Sequence, residues 1–284
     1  MLTAVTVVFF AANSLLARFA LRAGEIDAGS FTAVRIGAGA AALALLDSFR
    51  RGEPGAARKH GSLRAAFALF CYAITFSYGY LLLNASTGTL VLFASVQLTM
   101  LGIATAGGEW PRSSEWTGLA VAFGGLVYLA SPGLTAPSRM GVLLMAVSGT
   151  AWGYYSIAAK DQRSPIAATA GNFARAVPLA AGTFIVIWVF GQPHASWPGV
   201  GIAAISGAVT SGLGYAIWYL TLQDLRTSLA AVVQLTVPVL TAAAGVILLG
   251  EPLTWRVVLA SGAILGGVAL ALLGKRSAHP SVDQ

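Results

Sequence analysis

Ten apolar runs, most of them long enough to cross a lipid bilayer, divide the amino-acid sequence. They cover approximately residues 3–23, 29–48, 64–84, 88–106, 116–131, 139–160, 166–190, 198–220, 227–249 and 256–274. A helix of about 20 apolar residues spans the hydrocarbon core of a membrane, so each run predicts one transmembrane helix. Turn-forming stretches such as Ser131-Pro132-Gly133 separate the runs. The sequence therefore predicts an all-α polytopic membrane protein with ten transmembrane helices.

The composition supports this fold class. Of 284 residues, 57% are hydrophobic and 10% are charged, whereas a soluble domain carries roughly 25% charged residues. The net charge of +7 does not indicate nucleic-acid binding, because the basic residues lie between apolar runs and form no basic patch. Lipid is therefore the expected solvent for much of the surface.

Basic residues are concentrated in every second connection and in the C-terminal tail: Arg50, Arg51, Arg58, Lys59, Arg64, Arg112, Lys160, Arg163, Arg226, Lys275 and Arg276. Short loops rich in Lys and Arg stay on the cytoplasmic side. We therefore predict a multi-pass protein with both termini in the cytoplasm. The excess of Arg over Lys and the abundance of Ala and Gly are typical of a bacterial protein, so the bacterial inner membrane is the expected location.

The two halves of the chain share short motifs in the same order. The matched pairs are Val96-Gln97-Leu98-Thr99 with Val233-Gln234-Leu235-Thr236, Gly108-Glu109 with Gly250-Glu251, Gly124-Gly125 with Gly266-Gly267, and Arg35 with Arg175. We predict a first five-helix repeat over 1–137, a second over 138–276 and a cytoplasmic tail over 277–284. Because five is odd, the repeats must be inverted relative to each other, as in many secondary transporters with a central binding cavity and alternating access.

Residues 219–270 resemble the second repeat of the drug/metabolite transporter superfamily, in its ten-helix EamA-type members. The resemblance rests on Tyr219-Leu220-Thr221-Leu222, Gln234, Pro238, Gly250-Glu251-Pro252-Leu253 and Gly266-Gly267, with Trp152-Gly153 near the start of the repeat. The first half is similar more loosely, with Ala12-Asn13 and Met100-Leu101 where the second half has Trp152-Gly153 and Pro238. The resemblance implies export of small metabolites through a cavity lined by helices that include the third, fourth, eighth and ninth. The bacterial aromatic amino-acid exporters are the most similar branch, which implies aromatic or other neutral amino acids as substrates.

Several polar and aromatic side chains within the runs are candidates for substrate binding. Gln97 and Gln234 offer amides that suit a zwitterion, or they hydrogen-bond neighbouring helices. Trp152 and Tyr155 share a helical face with hydroxyl residues, Tyr78 lies one turn from Thr75, and Tyr215 lies one turn from Trp218. Such aromatic walls stack on ligands, or they fill gaps between helices. Asn13 is a further candidate, with hydrogen-bonded packing as its alternative.

Two arginines within the runs are candidates for an anion site or for structural pairing. Arg35 is expected near an outer helix end, where its side chain could snorkel to the surface. Arg175 is expected deeper, where it could bind a substrate carboxylate or cap the carbonyls of a helix broken near Pro178.

No Asp, Glu or His lies in the centre of a run, and no GxxxxGK[ST] phosphate loop is present. The sequence therefore does not predict an enzyme, a cofactor, a metal site or ATP-driven pumping. The expected partners are a small-molecule substrate and lipid, without nucleic acid. Export of other metabolites or drugs, or a membrane role other than transport, remain the alternatives.

Overall fold

The computed structural model of the chain describes residues 2–51, 60–107, 113–130, 136–159, 164–224, 234 and 236–273. These residues form ten rods, which we number α1 to α10 along the chain. They are α1 (Leu2–Arg22), α2 (Ala28–Arg51), α3 (Leu63–Leu82), α4 (Ala85–Ala106), α5 (Ser113–Ala130), α6 (Arg139–Ala159), α7 (Pro165–Phe190), α8 (three consecutive segments, Trp197–Ile205, Ser206–Leu213 and Gly214–Asp224), α9 (Thr236–Leu249) and α10 (Trp255–Leu273). The predicted ten-helix fold class is confirmed.

Six of the rods, α1 to α4, α7 and α8, are long and apolar enough to cross a membrane by length and composition. Shorter apolar helices lie within α5, α9 and α10. The predicted starts and ends differ from the observed ones by a few residues for most helices. The predicted ninth run begins at residue 227, and its first residues lie outside the part of the chain that the structure describes.

Several hydroxyl side chains inside the helices are satisfied by the backbone of their own helix, which suits a lipid environment. Thr32, Thr89 and Ser95 each donate to the carbonyl oxygen four residues earlier, at 2.6–2.9 Å. At helix starts, the hydroxyls of Ser62 and Ser196 accept from backbone N–H groups three residues later. Ser and Thr are thus compatible with buried or lipid-facing helices.

Two helices depart from regular expectations. Helix α7 continues through Pro178 to Phe190, so the break expected near this proline is absent. The middle segment of α8, Ser206–Leu213, is a π-helix. Such segments are rare and frequently occur at functional sites.

The two halves of the chain interleave. Helix α2 packs on α7, α6 packs on α3 and α4, and α1 packs on α8 and α9. Helices α5 and α10 form a close pair, in which a Cβ at Gly267 would lie 2.5 Å from the Gly118 carbonyl oxygen. The second glycine of a repeated Gly-Gly motif therefore permits this approach, as small residues do between membrane helices.

One end of the molecule carries additional ties between the halves. The backbone N–H of Asp27 donates to the His194 carbonyl oxygen at 2.8 Å. The His194 N–H donates to Asp27 Oδ2 at 3.0 Å. Ile26 and Ala195 form an isolated antiparallel bridge beside them. These contacts fasten the α1–α2 turn to the α7–α8 turn.

Candidate functional site

A small cavity lies at the centre of the bundle, between α1, α3, α4, α6 and α8. Its lining residues are Phe10, Asn13, Ser14, Tyr72, Phe76, Leu92, Phe93, Trp152 and Tyr215. The cavity volume is about 10 Å³, which is roughly the space for one water molecule. The bundle thus has a small void where the central cavity is expected.

Arg35 on α2 reaches this cavity through three hydroxyl groups. Its Nε donates to Ser211 Oγ at 2.9 Å. Its Nη2 donates to the Tyr72 hydroxyl at 2.9 Å and to the Tyr215 hydroxyl at 2.6 Å. The guanidinium carbon also lies over two rings of α3, 5.2 Å from the centroid of Tyr72 and 4.7 Å from that of Phe76. The guanidinium is thus held against the wall of the cavity from α3 and α8.

The burial of Arg35 differs from the sequence expectation. Its residue surface is only 1% exposed, so it does not snorkel to a helix end. Depth along a helix does not reveal which way a side chain turns, and here α3 and α8 supply hydroxyls on the inner face.

Among the described residues, no carboxylate neutralises Arg35. The ion pair found among the described residues joins Arg18 to Glu251, in another part of the bundle. Arg35 Nη1 has no hydrogen-bond partner in the described part of the chain. A buried charge without an acidic partner is costly, since even after relaxation the penalty is several kcal/mol per ion. Such a cost is typical of a site that binds a ligand of opposite charge.

Asn13 on α1 joins the same polar network from the other side. Its Nδ2 donates to the Tyr72 hydroxyl at 3.2 Å. Its Oδ1 accepts from the hydroxyls of Ser206, Thr210 and Ser211 at 2.8, 3.1 and 3.4 Å. All three hydroxyls belong to the π-helical segment, whose wider turns bring them to one side chain. The Tyr72 and Tyr215 hydroxyls lie 2.8 Å apart and complete the network.

Close backbone contact positions this network. A Cβ at Gly207, in the π-helical segment, would overlap the carbonyl oxygen of Arg35. A Cβ at Gly39, one turn further along α2, would lie 2.9 Å from the Gly207 carbonyl oxygen. The absence of side chains at these crossing points allows α2 and α8 to approach closely, and this approach places Ser211 within reach of Arg35.

Aromatic rings form the rest of the wall. Trp152 has its ring centroid 4.5 Å from that of Tyr215 and 5.0 Å from that of Tyr72. Phe10 packs edge-on against Trp152 at 5.4 Å. The Trp152 indole N–H donates to Gln234 Oε1 at 3.2 Å. Beyond the guanidinium, the site is therefore an aromatic box, which suits an apolar or aromatic ligand.

The structure brings five of the candidate residues together. Asn13, Trp152 and Tyr215 line the cavity, Arg35 contacts it through the Tyr72 and Tyr215 hydroxyls, and Gln234 contacts it through Trp152. Tyr155 lies behind Trp152, with ring centroids 5.5 Å apart, and forms an outer layer of the aromatic wall.

Three other candidates lie elsewhere. Tyr78 is 38% exposed on the outside of α3 and does not reach the cavity, since six residues separate it from Tyr72 and turn it to another face. Gln97 is buried on α4 but is not among the residues that line the cavity. Arg175 Nη1 donates to the carbonyl oxygens of His60 and Gly171 at 2.6 and 2.9 Å, so this side chain caps carbonyls next to the α2–α3 connection.

The sequence interpretation did not single out Tyr72, Phe10 or Ser211. A membrane helix is apolar on every face, so helical periodicity gives little indication of which face points inward. The signal that could have identified Tyr72 is its four-residue spacing from Phe76 and eight-residue spacing from Tyr80, which gives α3 one continuous aromatic stripe.

A second polar cluster closes one end of the bundle. Arg18 Nε donates to Glu251 Oε1 at 3.0 Å, and its Nη1 donates to the Tyr80 carbonyl oxygen at 2.7 Å. Glu251 Oε2 accepts from the backbone N–H of Ala85 at 2.8 Å. Although Glu251 follows the end of α9, its side chain is buried. These contacts join α1, the α3–α4 turn and the α9–α10 turn.

Comparison with known proteins finds similarity to transporters. Residues 139–273 match the model of the EamA-like transporter family. An uncharacterized protein of Pseudomonas aeruginosa is 46% identical over 272 residues, which cover 96% of this chain and 93% of that protein.

More distant relatives carry transporter names. An uncharacterized transporter of Archaeoglobus fulgidus is 26% identical over 72% of this chain and 74% of its own length. The uncharacterized inner membrane transporter YedA of Escherichia coli is 28% identical over 65% of this chain and 61% of its own length. A crystal structure of another protein matches 97% of both chains with a TM-score of 0.71 at 19% identity, which shows a shared fold.

Proposed function

We propose that this chain, whose residues 139–273 match the EamA-like transporter family, is a secondary transporter that exports small carboxylate-bearing metabolites by alternating access. The proposed substrates have an apolar or aromatic body. Aromatic and other neutral amino acids are the first class to test, because of the resemblance to the amino-acid exporter branch. The proposed binding residues are Arg35, Asn13, Tyr72, Trp152 and Tyr215.

The observation that carries this proposal is the buried guanidinium of Arg35. It is surrounded by hydroxyls and rings, and no described carboxylate pairs with it. The planar guanidinium fork matches the geometry of a carboxylate and can bind it through two parallel hydrogen bonds. Because Nη1 has no hydrogen-bond partner among the described residues, at least one donor is available for such a contact.

The aromatic wall supports the proposal that the substrates have an apolar or aromatic body. Rings of Phe10, Trp152 and Tyr215 enclose the cavity, and Trp152 is fixed by its bond to Gln234. Stacking between aromatic rings contributes about 0.5–1.5 kcal/mol beyond the burial of area. A substrate with a ring or a branched aliphatic chain would therefore gain more from this site than a small polar acid.

Alternating access is supported by the pairing of helices across the bundle. If the five helices of the proposed repeat 1–137 are matched in order with those of the proposed repeat 138–276, α1 corresponds to α6 and α4 to α9. The α1–α9 contact then corresponds to the α4–α6 contact, and α2–α7 and α5–α10 each correspond to themselves. All of these contacts are present. An inverted repeat of this kind provides two related states that open to opposite sides.

The closed cavity fits an intermediate of that cycle. Room for roughly one water molecule is too little for any substrate, so α1, α6 or α8 must move before binding. With the predicted orientation, the Arg18–Glu251 cluster lies at the periplasmic end and has to separate during release.

Counterflow in proteoliposomes tests the proposal. Vesicles are loaded with an excess of unlabelled phenylalanine or phenylpyruvate, and the same compound in labelled form is added outside. We expect transient accumulation of label for at least one of the two, inhibition by other apolar carboxylates, and none by phenethylamine, which lacks the carboxylate. Inhibition by phenethylamine that equals inhibition by the acids would contradict carboxylate recognition, as would label that enters protein-free vesicles equally fast.

A further inference from the structure

The charge of the central site selects among carboxylates. Arg35 contributes one positive charge, and no described carboxylate compensates it. Glu251, the buried acid of the neighbouring cluster, is already engaged by Arg18 and by the Ala85 N–H. A bound carboxylate without other charges makes the complex neutral, whereas a zwitterion leaves the buried site with its full positive charge.

The hydrogen-bond acceptors of the site lead to the same conclusion. A substrate ammonium group has three N–H donors and needs acceptors. Asn13 Oδ1 already accepts from three hydroxyls, and Gln234 Oε1 accepts from Trp152. The Tyr72 and Tyr215 hydroxyls accept from Arg35 and bond to each other. Each of these oxygens already accepts a hydrogen bond, so fewer lone pairs remain for an ammonium group.

The aromatic faces nearest the guanidinium offer no good alternative. An ammonium could rest on a ring through a cation–π contact, but Arg35 already lies over the rings of Tyr72 and Phe76. In an α-amino acid the ammonium is bonded one carbon away from the carboxylate. A carboxylate on Arg35 would thus bring a second cation close to the first, and like charges in a low-dielectric site repel strongly.

We infer that the preferred substrates of this site are monocarboxylate anions that lack an α-ammonium group, such as 2-oxo acids and aryl-alkanoic acids with an apolar or aromatic body. This inference rests on the proposed function, because it concerns the same site and assumes that Arg35 binds a carboxylate. It separates two groups of compounds that share a carboxylate and a side chain and differ in net charge.

Matched pairs of substrates test the inference. The pairs are phenylpyruvate with phenylalanine and 4-methyl-2-oxopentanoate with leucine, and 3-phenylpropionate differs from phenylalanine only in the missing ammonium. Each is measured as a competitor of counterflow by the wild-type protein, with protein-free vesicles as the control for leakage of the acids. We expect the anion of each pair to compete at concentrations roughly tenfold to hundredfold lower than the amino acid.

A charge variant with a matched control tests whether the charge of Arg35 causes the preference for anions. Ser211→Asp places a carboxylate beside Arg35 Nε, where Ser211 Oγ now lies at 2.9 Å, and Ser211→Asn keeps the size without the charge. We expect Ser211→Asp to lose the preference for the anions and Ser211→Asn to keep it. Ligand-free folding of both is checked by gel filtration and by circular dichroism.

The outcomes distinguish this inference from the proposed function. Counterflow of phenylalanine and leucine equal to or better than that of their oxo acids overturns the inference and leaves the carboxylate transporter intact. An unchanged preference in folded Ser211→Asp also overturns it, because the charge of Arg35 would then not be the cause. Absence of counterflow with every carboxylate overturns both.

Discussion

Arg35 and Tyr215 are linked by a hydrogen bond of 2.6 Å between Nη2 and the phenolic oxygen, across 180 positions of sequence. One residue comes from the first half of the chain and the other from the second. The bond therefore brings the buried charge of α2 to the aromatic wall on α8. Among the described residues, no carboxylate pairs with this charge.

Arg35 and Arg175 should differ in their contribution to stability. Arg35→Met removes a buried charge that lacks an acidic partner among the described residues. The hydroxyls left behind keep other bonds, Tyr72 with Tyr215 and Ser211 with Asn13. The unfolding midpoint of Arg35→Met should be unchanged or higher, as when buried charges elsewhere are replaced by apolar residues. Arg175→Met leaves the His60 and Gly171 carbonyls without this donor and should cost about 1–3 kcal/mol. Thermal unfolding in detergent measures both variants, and equal destabilisation would contradict the distinction.

The crossing of α2 and α8 should tolerate no side chain at Gly207. A Cβ there overlaps the Arg35 carbonyl oxygen, so Gly207→Ala must shift one helix and should cost about 1–3 kcal/mol. Gly201→Ala is the matched control, because a Cβ at Gly201, in the same rod, meets nothing within 4 Å. Thermal unfolding and counterflow should both be impaired in the first variant and retained in the second. Normal behaviour of Gly207→Ala would show that the close approach is not required.

The Arg18–Glu251 cluster should control access from one end. Glu251→Gln weakens the ion pair and its bond to α4, so the central cavity should open more often on that side. A cysteine introduced at Ser14, which lines the cavity, in a Cys71→Ala background reports opening by its reaction with an impermeant maleimide added outside. The rate should rise in Glu251→Gln and change little in Arg22→Gln, whose bond to the Leu249 carbonyl is exposed. Equal rates in all three proteins would exclude a gating role.

Membrane potential should drive efflux of the proposed anions. One elementary charge that crosses 100 mV contributes about 2.3 kcal/mol, or a concentration ratio of roughly fiftyfold. A potassium diffusion potential, negative inside, should therefore accelerate efflux of phenylpyruvate from proteoliposomes. Because the sequence places no Asp, Glu or His in the centre of a run, dissipation of a pH gradient alone should have little effect. Strict dependence on the pH gradient would contradict this prediction.

The sequence predicted the ten-helix fold because apolar runs and turn residues are local features. It indicated Trp152, Tyr215 and Asn13 because polar or aromatic residues within such runs are unusual. It could not indicate the environment of Arg35, since the partners Ser211, Tyr72 and Tyr215 are 176, 37 and 180 positions away. The pairing of Arg18 with Glu251, 233 positions apart, likewise depends on packing that no local pattern encodes.

Tyr78 and Tyr72 illustrate the remaining difficulty. Both are tyrosines of α3, and hydropathy alone treats them alike. The inward direction is decided by contacts of α3 with α6 and α7, which turn Tyr72 to the cavity and leave Tyr78 on the outside. Choosing between them therefore requires the tertiary structure.

Counterflow of labelled phenylpyruvate by Arg35→Gln, measured beside Arg175→Gln, tests most directly whether the Arg35 guanidinium binds the substrate carboxylate. Both variants lose an arginine within a helix, and rates are normalised to the amount of folded protein in the vesicles. We predict that Arg35→Gln falls to the level of protein-free vesicles while Arg175→Gln still accumulates label. Wild-type counterflow by Arg35→Gln would contradict the assignment of this guanidinium to the substrate carboxylate.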